Sequence, residues 1–306
     1  MRSLIYLVLG CLFFVTGAVC RSSNSDKSTP RPVITVSILP LKYLTRRITG
    51  DRFDINVMVP PGDNVESYEP VASQMKDLSR SSLYLMIGYL PFELSQRDRF
   101  QDLNPEMSMV NLSAGVDLIT GSHHHSHSSQ SHSDHEDGEG TVGIDPHIWL
   151  SPVSVRSMIK TIRDAVIRLD TAQADFYRHR YDSLQQDVDR VDSLFQSVFQ
   201  SSANRCFMVF HPAWSYPARD YQLEQVAMEV EGKSPSPADI RRLIDLGRRR
   251  RIRVIFIQKQ FDTADAHTIA DEIGAEIVVL DPVAEDWLVS MEQTAAALQK
   301  ALSDHE

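Results

Sequence analysis

An α/β fold of two lobes, each a parallel sheet with covering helices, joined by a long helix, follows from three features of the sequence. Short aliphatic and β-branched runs alternate with helical stretches over residues 33–111, and the alternation resumes over 204–302. Between them, 153–203 carries an apolar stripe at helical spacing with no glycine or proline. With 306 residues, 42% of them hydrophobic, the chain can bury a large core, and division into two domains is natural.

The elements follow in order. Arg2 and the apolar run Leu4 to Val19 read as an export signal, spanning 1–19. Small residues precede Cys20, as at a lipoprotein cleavage site; simple cleavage after Ala18 is the alternative. Residues 20–32 form a polar tether, so membrane association is expected only through a lipid on Cys20.

The N-terminal lobe is assigned to 33–150, with strands at 33–38, 55–59, 83–87 and 107–111 and helices at 41–48 and 74–82. Ser151 as N-cap and Pro152 in the first turn open the helical connection 151–203. One helix of about 30 residues would span about 45 Å; two antiparallel helices turning near Asp170 fit the same stripe. The C-terminal lobe, 204–306, has strands at 206–210, 254–257 and 277–280 and helices at 237–249, 263–273 and 291–302.

Composition narrows function. The net charge is −10, with pI near 5.5. No basic face is offered to a phosphate backbone, so nucleic acid is not expected as a partner. The arginines 248–251 fall at a helix C-terminus, where cations complement the macrodipole. Cys206 is the one cysteine of the mature body, so an internal disulfide is excluded; among Phe207, Met208, Val209 and Phe210 it reads as a small core residue. The chain is expected to act as a monomer.

Six of the eleven histidines fall in a thirteen-residue stretch: His123, His124, His125, His127, His132 and His135. Serines and carboxylates separate them, with nothing apolar, so the loop 122–139 cannot form a core and is expected to bind additional metal weakly. Imidazole suits zinc, copper and nickel better than calcium or magnesium.

Four further residues converge. Ligands in open parallel sheets bind outside the carboxyl ends of the strands. His211 directly follows one predicted strand and Asp281 another, while Glu66 lies in the loop leaving the strand that ends at Val59. His147 stands just before the helical connection in Asp145-Pro146-His147-Ile148-Trp149. Two imidazoles and two carboxylates can surround one divalent ion and balance its charge. A zinc hydrolase would need an open position and a general base, for which Glu69 was the available candidate.

The motifs holding these residues resemble those of the zinc- and manganese-binding solute-binding proteins of bacterial ABC transporters, the ZnuA/TroA-like group. Residues 145–149 match DPHxW, and Phe210-His211-Pro212-Ala213-Trp214-Ser215-Tyr216 is similar to FHxAFxYF. Ser234-Pro235-Ser236-Pro237 resembles EPSP, and Leu280-Asp281-Pro282 matches LDP. The resemblance implies a metal site between two lobes, built from Glu66, His147, His211 and Asp281. It implies high-affinity zinc binding, no catalysis, and delivery of the ion to an ABC permease. One motif departs: in Val65-Glu66-Ser67-Tyr68-Glu69-Pro70, Glu66 stands where the family usually has histidine, which leaves manganese as the alternative metal. A metal-binding adhesin or buffer acting without a transporter is the other reading.

Overall fold

The computed structural model describes residues 31–120, 143–200, 204–229, 233–261 and 263–303. The described residues from Pro32 onward belong to one compact unit. The leader, Cys20 and the histidine-rich stretch lie outside the described residues.

The first lobe runs β1 (Val33–Val36), α1 (Leu39–Thr49), β2 (Asp54–Val57), α2 (Ala72–Leu78), β3 (Ser81–Met86), α3 (Pro91–Ser95), α4 (Arg97–Leu103) and β4 (Ser108–Asn111). Its strands are parallel in the order β2-β1-β3-β4. Two helices follow, α5 (Pro152–Leu169) and α6 (Ala174–Gln200). The second lobe runs β5 (Cys206–Val209), α7 (Ser215–Asp220), β6 (Glu224–Ala227), α8 (Pro237–Arg250), β7 (Val254–Ile257), α9 (Ala264–Ile273), β8 (Glu276–Val279) and α10 (Trp287–Leu302). Its order, β6-β5-β7-β8, repeats that of the first. No described helix is long and apolar enough to cross a membrane.

The helical connection is two helices rather than one. α5 starts as its sequence dictates: Ser151 Oγ accepts from Val153 N and Pro152 sits in the first turn. It ends at Asp170, whose backbone leaves the helical region and whose carboxylate accepts from Tyr177 Oη at 2.7 Å. A 3-10 turn, Thr171–Gln173, then reverses the chain into α6. The 27 residues of α6 span about 40 Å. Arg156 on α5 bridges Asp189 and Asp192 of α6, each at 2.7 Å, and Tyr221 of the second lobe donates to Asp192 at 2.6 Å.

One apolar core runs through both lobes. Residues of β1 and β3, the inner faces of α1, α5 and α6, and Phe207, Phe256, Trp287 and Met291 of the second lobe belong to it. A second core covers the opposite face of the second sheet, among Cys206, Met208, Leu243, Ile255 and Ile269. Cys206 is buried there, as its neighbours predicted.

Strand β6 was not legible in the sequence. Glu224-Gln225-Val226-Ala227 is an edge strand, exposed to half-buried, so it lacks the apolar run of a central parallel strand. β5 and β7, buried at every position, carry that run.

Candidate metal centre

Three of the four predicted ligands meet where the strands end. Glu66 lies on the loop after β2, His147 opens the 3-10 turn Ile148–Leu150 ahead of α5, and His211 follows β5. Among the described residues, the ligand atoms of Glu66, His147 and His211 form the one cluster of this kind, all within 4.8 Å of one another. Glu66 Oε1 is 3.2 Å from His211 Nε2 and 3.7 Å from His147 Nε2. Both histidines are buried, at 4% and 5% exposure, and Glu66 is half-buried. They line a cavity with about 20 Å³ of free space, roughly the room of one water molecule.

Each imidazole is held from behind by a carboxylate. His147 Nδ1 lies 2.8 Å from Asp145 Oδ1, which also accepts from the His147 backbone N–H. His211 Nδ1 lies 2.5 Å from Glu229 Oε2. An ionised carboxylate can only accept, so Nδ1 carries the proton and Nε2 is the atom left to coordinate. Phe261 stacks on the His211 ring, centroids 4.8 Å apart and 15° between planes, and fixes its orientation.

His211 Nε2 makes no hydrogen bond, despite its approach to Glu66. The two are close but misaligned, so the attraction between them is ionic rather than directional. A buried nitrogen left without a partner is rare in folded proteins, and a cation between the three ligand atoms would satisfy it. Burial works to lower the His211 pKa, but Glu229 and Glu66 outweigh it and push the imidazole up to about 9. Burial works to raise Glu66, yet His211 and His147 hold its carboxyl below the ordinary value. Asp145 is likewise lowered, burial being outweighed by its contacts with His147.

The fourth predicted ligand stands apart from the trio. Asp281 follows β8, half-buried, and its Oδ1 accepts from Val283 N at 3.0 Å. Its neighbours Pro282 and Val283 line the cavity. Glu69, the candidate base of a hydrolase, is exposed and absent from the lining.

The His147 segment is keyed to the second lobe. Tyr216 Oη donates to Asp145 O at 2.7 Å and accepts from Ile119 N. Trp149 Nε1 donates to Pro282 O, and Trp287 Nε1 donates to Trp149 O, both at 2.7 Å. The same segment is tied to the chain leaving the first lobe, where Asp145 N donates to Ile119 O at 2.9 Å, so His147 stands between the lobes, with Glu66 on the first and His211 on the second. The Glu66 loop is pinned by Tyr68, which donates to Gln74 and packs edge-on against Phe92.

Asp145 and Glu229, the carboxylates behind the two imidazoles, are not among the ligands expected from the sequence. Asp145 had a signal, since a carboxylate two residues before a histidine can turn back onto Nδ1. Glu229 had none, because it follows the unread strand β6.

Comparison with known proteins places the chain in a family. The family model described as "Zinc-uptake complex component A periplasmic" matches residues 34–301. The high-affinity zinc uptake system protein ZnuA of Bacillus subtilis (strain 168) is 23% identical, over 90% of this chain and 87% of its own length. A crystal structure of ZnuA is 33% identical, with TM-score 0.79 over 89% of this chain and 100% of that one. A variant of a manganese-bound periplasmic metal-binding protein from Candidatus Liberibacter asiaticus, 19% identical, shares the fold with TM-score 0.75 over 89% of this chain and 100% of that one. With the match spanning nearly the whole folded body, the chain belongs to the ZnuA family, the metal-binding components of uptake transporters, and is not an enzyme.

Proposed function

We infer that this chain captures zinc outside the cytoplasmic membrane and hands it to an ABC permease, with Glu66, His147, His211 and Asp281 as ligands. The observation that carries this reading is the pair of buried imidazoles, each backed by a carboxylate and each presenting Nε2 to Glu66. Asp281 completes the set from β8, beside the Pro282–Val283 wall of the cavity. Affinity at mixed nitrogen and oxygen sites rises from manganese to zinc, and two imidazoles reinforce that order. The metal content of protein purified without added metal, measured by mass spectrometry, tests the reading. One equivalent of zinc is expected, and manganese in its place would reject it.

Manganese is the second reading, favoured by one residue. Glu66 makes the donor set two nitrogens and two carboxylates, harder than three histidines and a carboxylate. Glu66→His is accordingly expected to raise the preference for zinc over manganese by about tenfold or more. Competition titration of the two ions measures the ratio, and a shift toward manganese would reject the role given to Glu66.

Zinc binding should depend on pH further into the alkaline range than ordinary histidine would allow. The ion must displace a proton from His211, whose pKa is pushed up to about 9. Below that value the proton competes, so apparent affinity rises as pH increases and levels off near 9. Chelator competition from pH 6 to pH 8.5, below the range where aqueous zinc hydrolyses, checks this: affinity should still be rising at the upper end. A plateau already reached near 7 would show that Glu229 and Glu66 do not act on His211 as described.

The leader and Cys20 support an exported chain held at the membrane face by a lipid, with cleavage after Ala18 as the alternative. The mass of the mature N-terminus separates them.

A further inference from the structure

The strands of the second lobe end in a row of polar side chains. Parallel pairing sets Val209 opposite Ala227 and Phe256, and Ile257 opposite Val279. Carried past the last paired residues, the registers bring Glu229, His211 and Gln258 side by side, with Leu280 and then Asp281 beyond. Glu229, His211 and Asp281 already have parts in the proposed site. Gln258 has none.

Gln258 is built into the same cavity. It is 2% exposed and lines the space with Glu66, His147 and His211. Its Nε2 is buried and makes no hydrogen bond. Buried amide donors are almost always paired, so an unpaired one facing a binding cavity points to an acceptor that arrives with the ligand. A bare cation is no acceptor. A carboxylate that turns onto the cation is one, because it coordinates through one oxygen and leaves lone pairs on the other.

We propose that Gln258 is a positioning residue of the metal site, whose carboxamide N–H donates to the Asp281 carboxylate when that carboxylate binds the ion. Asp281 leaves the strand neighbouring β7, one position beyond the residue that registers with Gln258. Val283 N already holds its Oδ1. A second donor from Gln258 fixes the carboxylate with one oxygen toward the metal. A neutral amide does this without adding a positive charge that would repel the cation. The proposal rests on the ligand set given above.

A double-mutant cycle decides it. Zinc affinity is measured by chelator competition for the intact protein, Gln258→Met, Asp281→Ala and the double variant. Methionine keeps the length and burial of the side chain and removes the donor. Gln258→Met is expected to weaken zinc about tenfold, the usual size of such supporting contacts, and to cost nothing further once Asp281 is alanine. Cobalt replaces zinc for a spectroscopic reading: its visible bands should shift in Gln258→Met and not between Asp281→Ala and the double variant. Equal losses in both backgrounds, or no loss in either, would overturn the proposal. If Asp281→Ala itself binds zinc like the intact protein, the ligand set fails first, and the two failures are thus distinguishable. Should Gln258→Met not fold, the intact protein labelled with [15N]glutamine gives the same decision. One side-chain N–H should slow in exchange on adding zinc, and no change would overturn the proposal.

Discussion

Alanine at His211 is expected to weaken zinc binding several hundredfold while leaving the fold intact. Four-ligand zinc sites carry about 10–16 kcal/mol, so one ligand accounts for roughly 3–4 kcal/mol. At about 1.4 kcal/mol per tenfold change, that is a factor of a few hundred. The loss is compounded because Glu229 and Glu66 would face each other without the imidazole between them. The same substitution at His179 or His267, on the exposed sides of α6 and α9, should leave the tight step untouched. Titration with zinc against a chelator of known affinity reads both results, with thermal unfolding of metal-free protein as the fold control. An unchanged tight step in His211→Ala would remove this residue from the site and, with it, the argument for Glu229.

His211 stands on β5, and the His147 segment is tied to the second lobe by Tyr216, Trp149 and Trp287 and to the first through Ile119. Glu66 belongs to the first lobe. Separation of the lobes would therefore draw Glu66 away from His211. The continuous core shared by the lobes limits how large such a separation can be.

What the sequence made legible follows from how each element is buried. Central parallel strands are covered on both faces, so β1, β3, β5 and β7 announce themselves as apolar runs. The edge strand β6 does not, and the short helices α3, α4 and α7 hold too few turns for a periodic stripe. The break between α5 and α6 carries neither glycine nor proline. It falls at Asp170, whose backbone leaves the helical region and whose carboxylate ties the end of α5 to Tyr177 of α6. Glu66, His211 and Asp281 stood out in the sequence because they follow predicted strands, and His147 because of its motif; the structure brings Glu66, His147 and His211 together. Gln258 did not stand out, since a glutamine in sequence carries no mark of its missing partner.

Loss of Glu93 should cost the fold heavily. The residue is 1% exposed and lies in the first turn of α3. Its carboxylate gathers the chain leaving β3: Oε1 accepts from Ile87 N at 2.9 Å and from Ser37 Oγ, and Oε2 accepts from Gly88 N at 2.6 Å and Leu90 N at 3.3 Å. Gly88 sits at φ 101°, where a side chain would be strained and would overlap Asn111. The carboxylate is what holds that turn closed. Glu93→Ala leaves three backbone N–H groups buried without partners, at about 1–3 kcal/mol each. A destabilisation of about 4 kcal/mol or more is expected after partial relaxation.

Glu93→Gln should also destabilise, by about 2 kcal/mol, because its NH2 group must face donors on one side. That outcome is informative, since glutamine removes a buried charge. Burial dominates and raises the Glu93 pKa to about 6, partly offset by the hydrogen bonds from Ser37, Gly88, Leu90 and Ile87. The folded state therefore binds the proton more tightly than the unfolded one, whose carboxyl titrates near 4.5. Stability falls as pH rises from about 4.5 to about 6, by about 2 kcal/mol, and is level above. This component should vanish in Glu93→Gln. Urea unfolding of the intact protein and both variants at pH 4.5, 6 and 7.5 separates the two effects. If Glu93→Gln proved more stable than the intact protein at pH 7.5, charge burial would outweigh the four hydrogen bonds, and Glu93 would not be the clasp of this turn. Because Phe92 packs against Tyr68, two residues from Glu66, opening the turn should also loosen the loop that carries the first lobe's ligand.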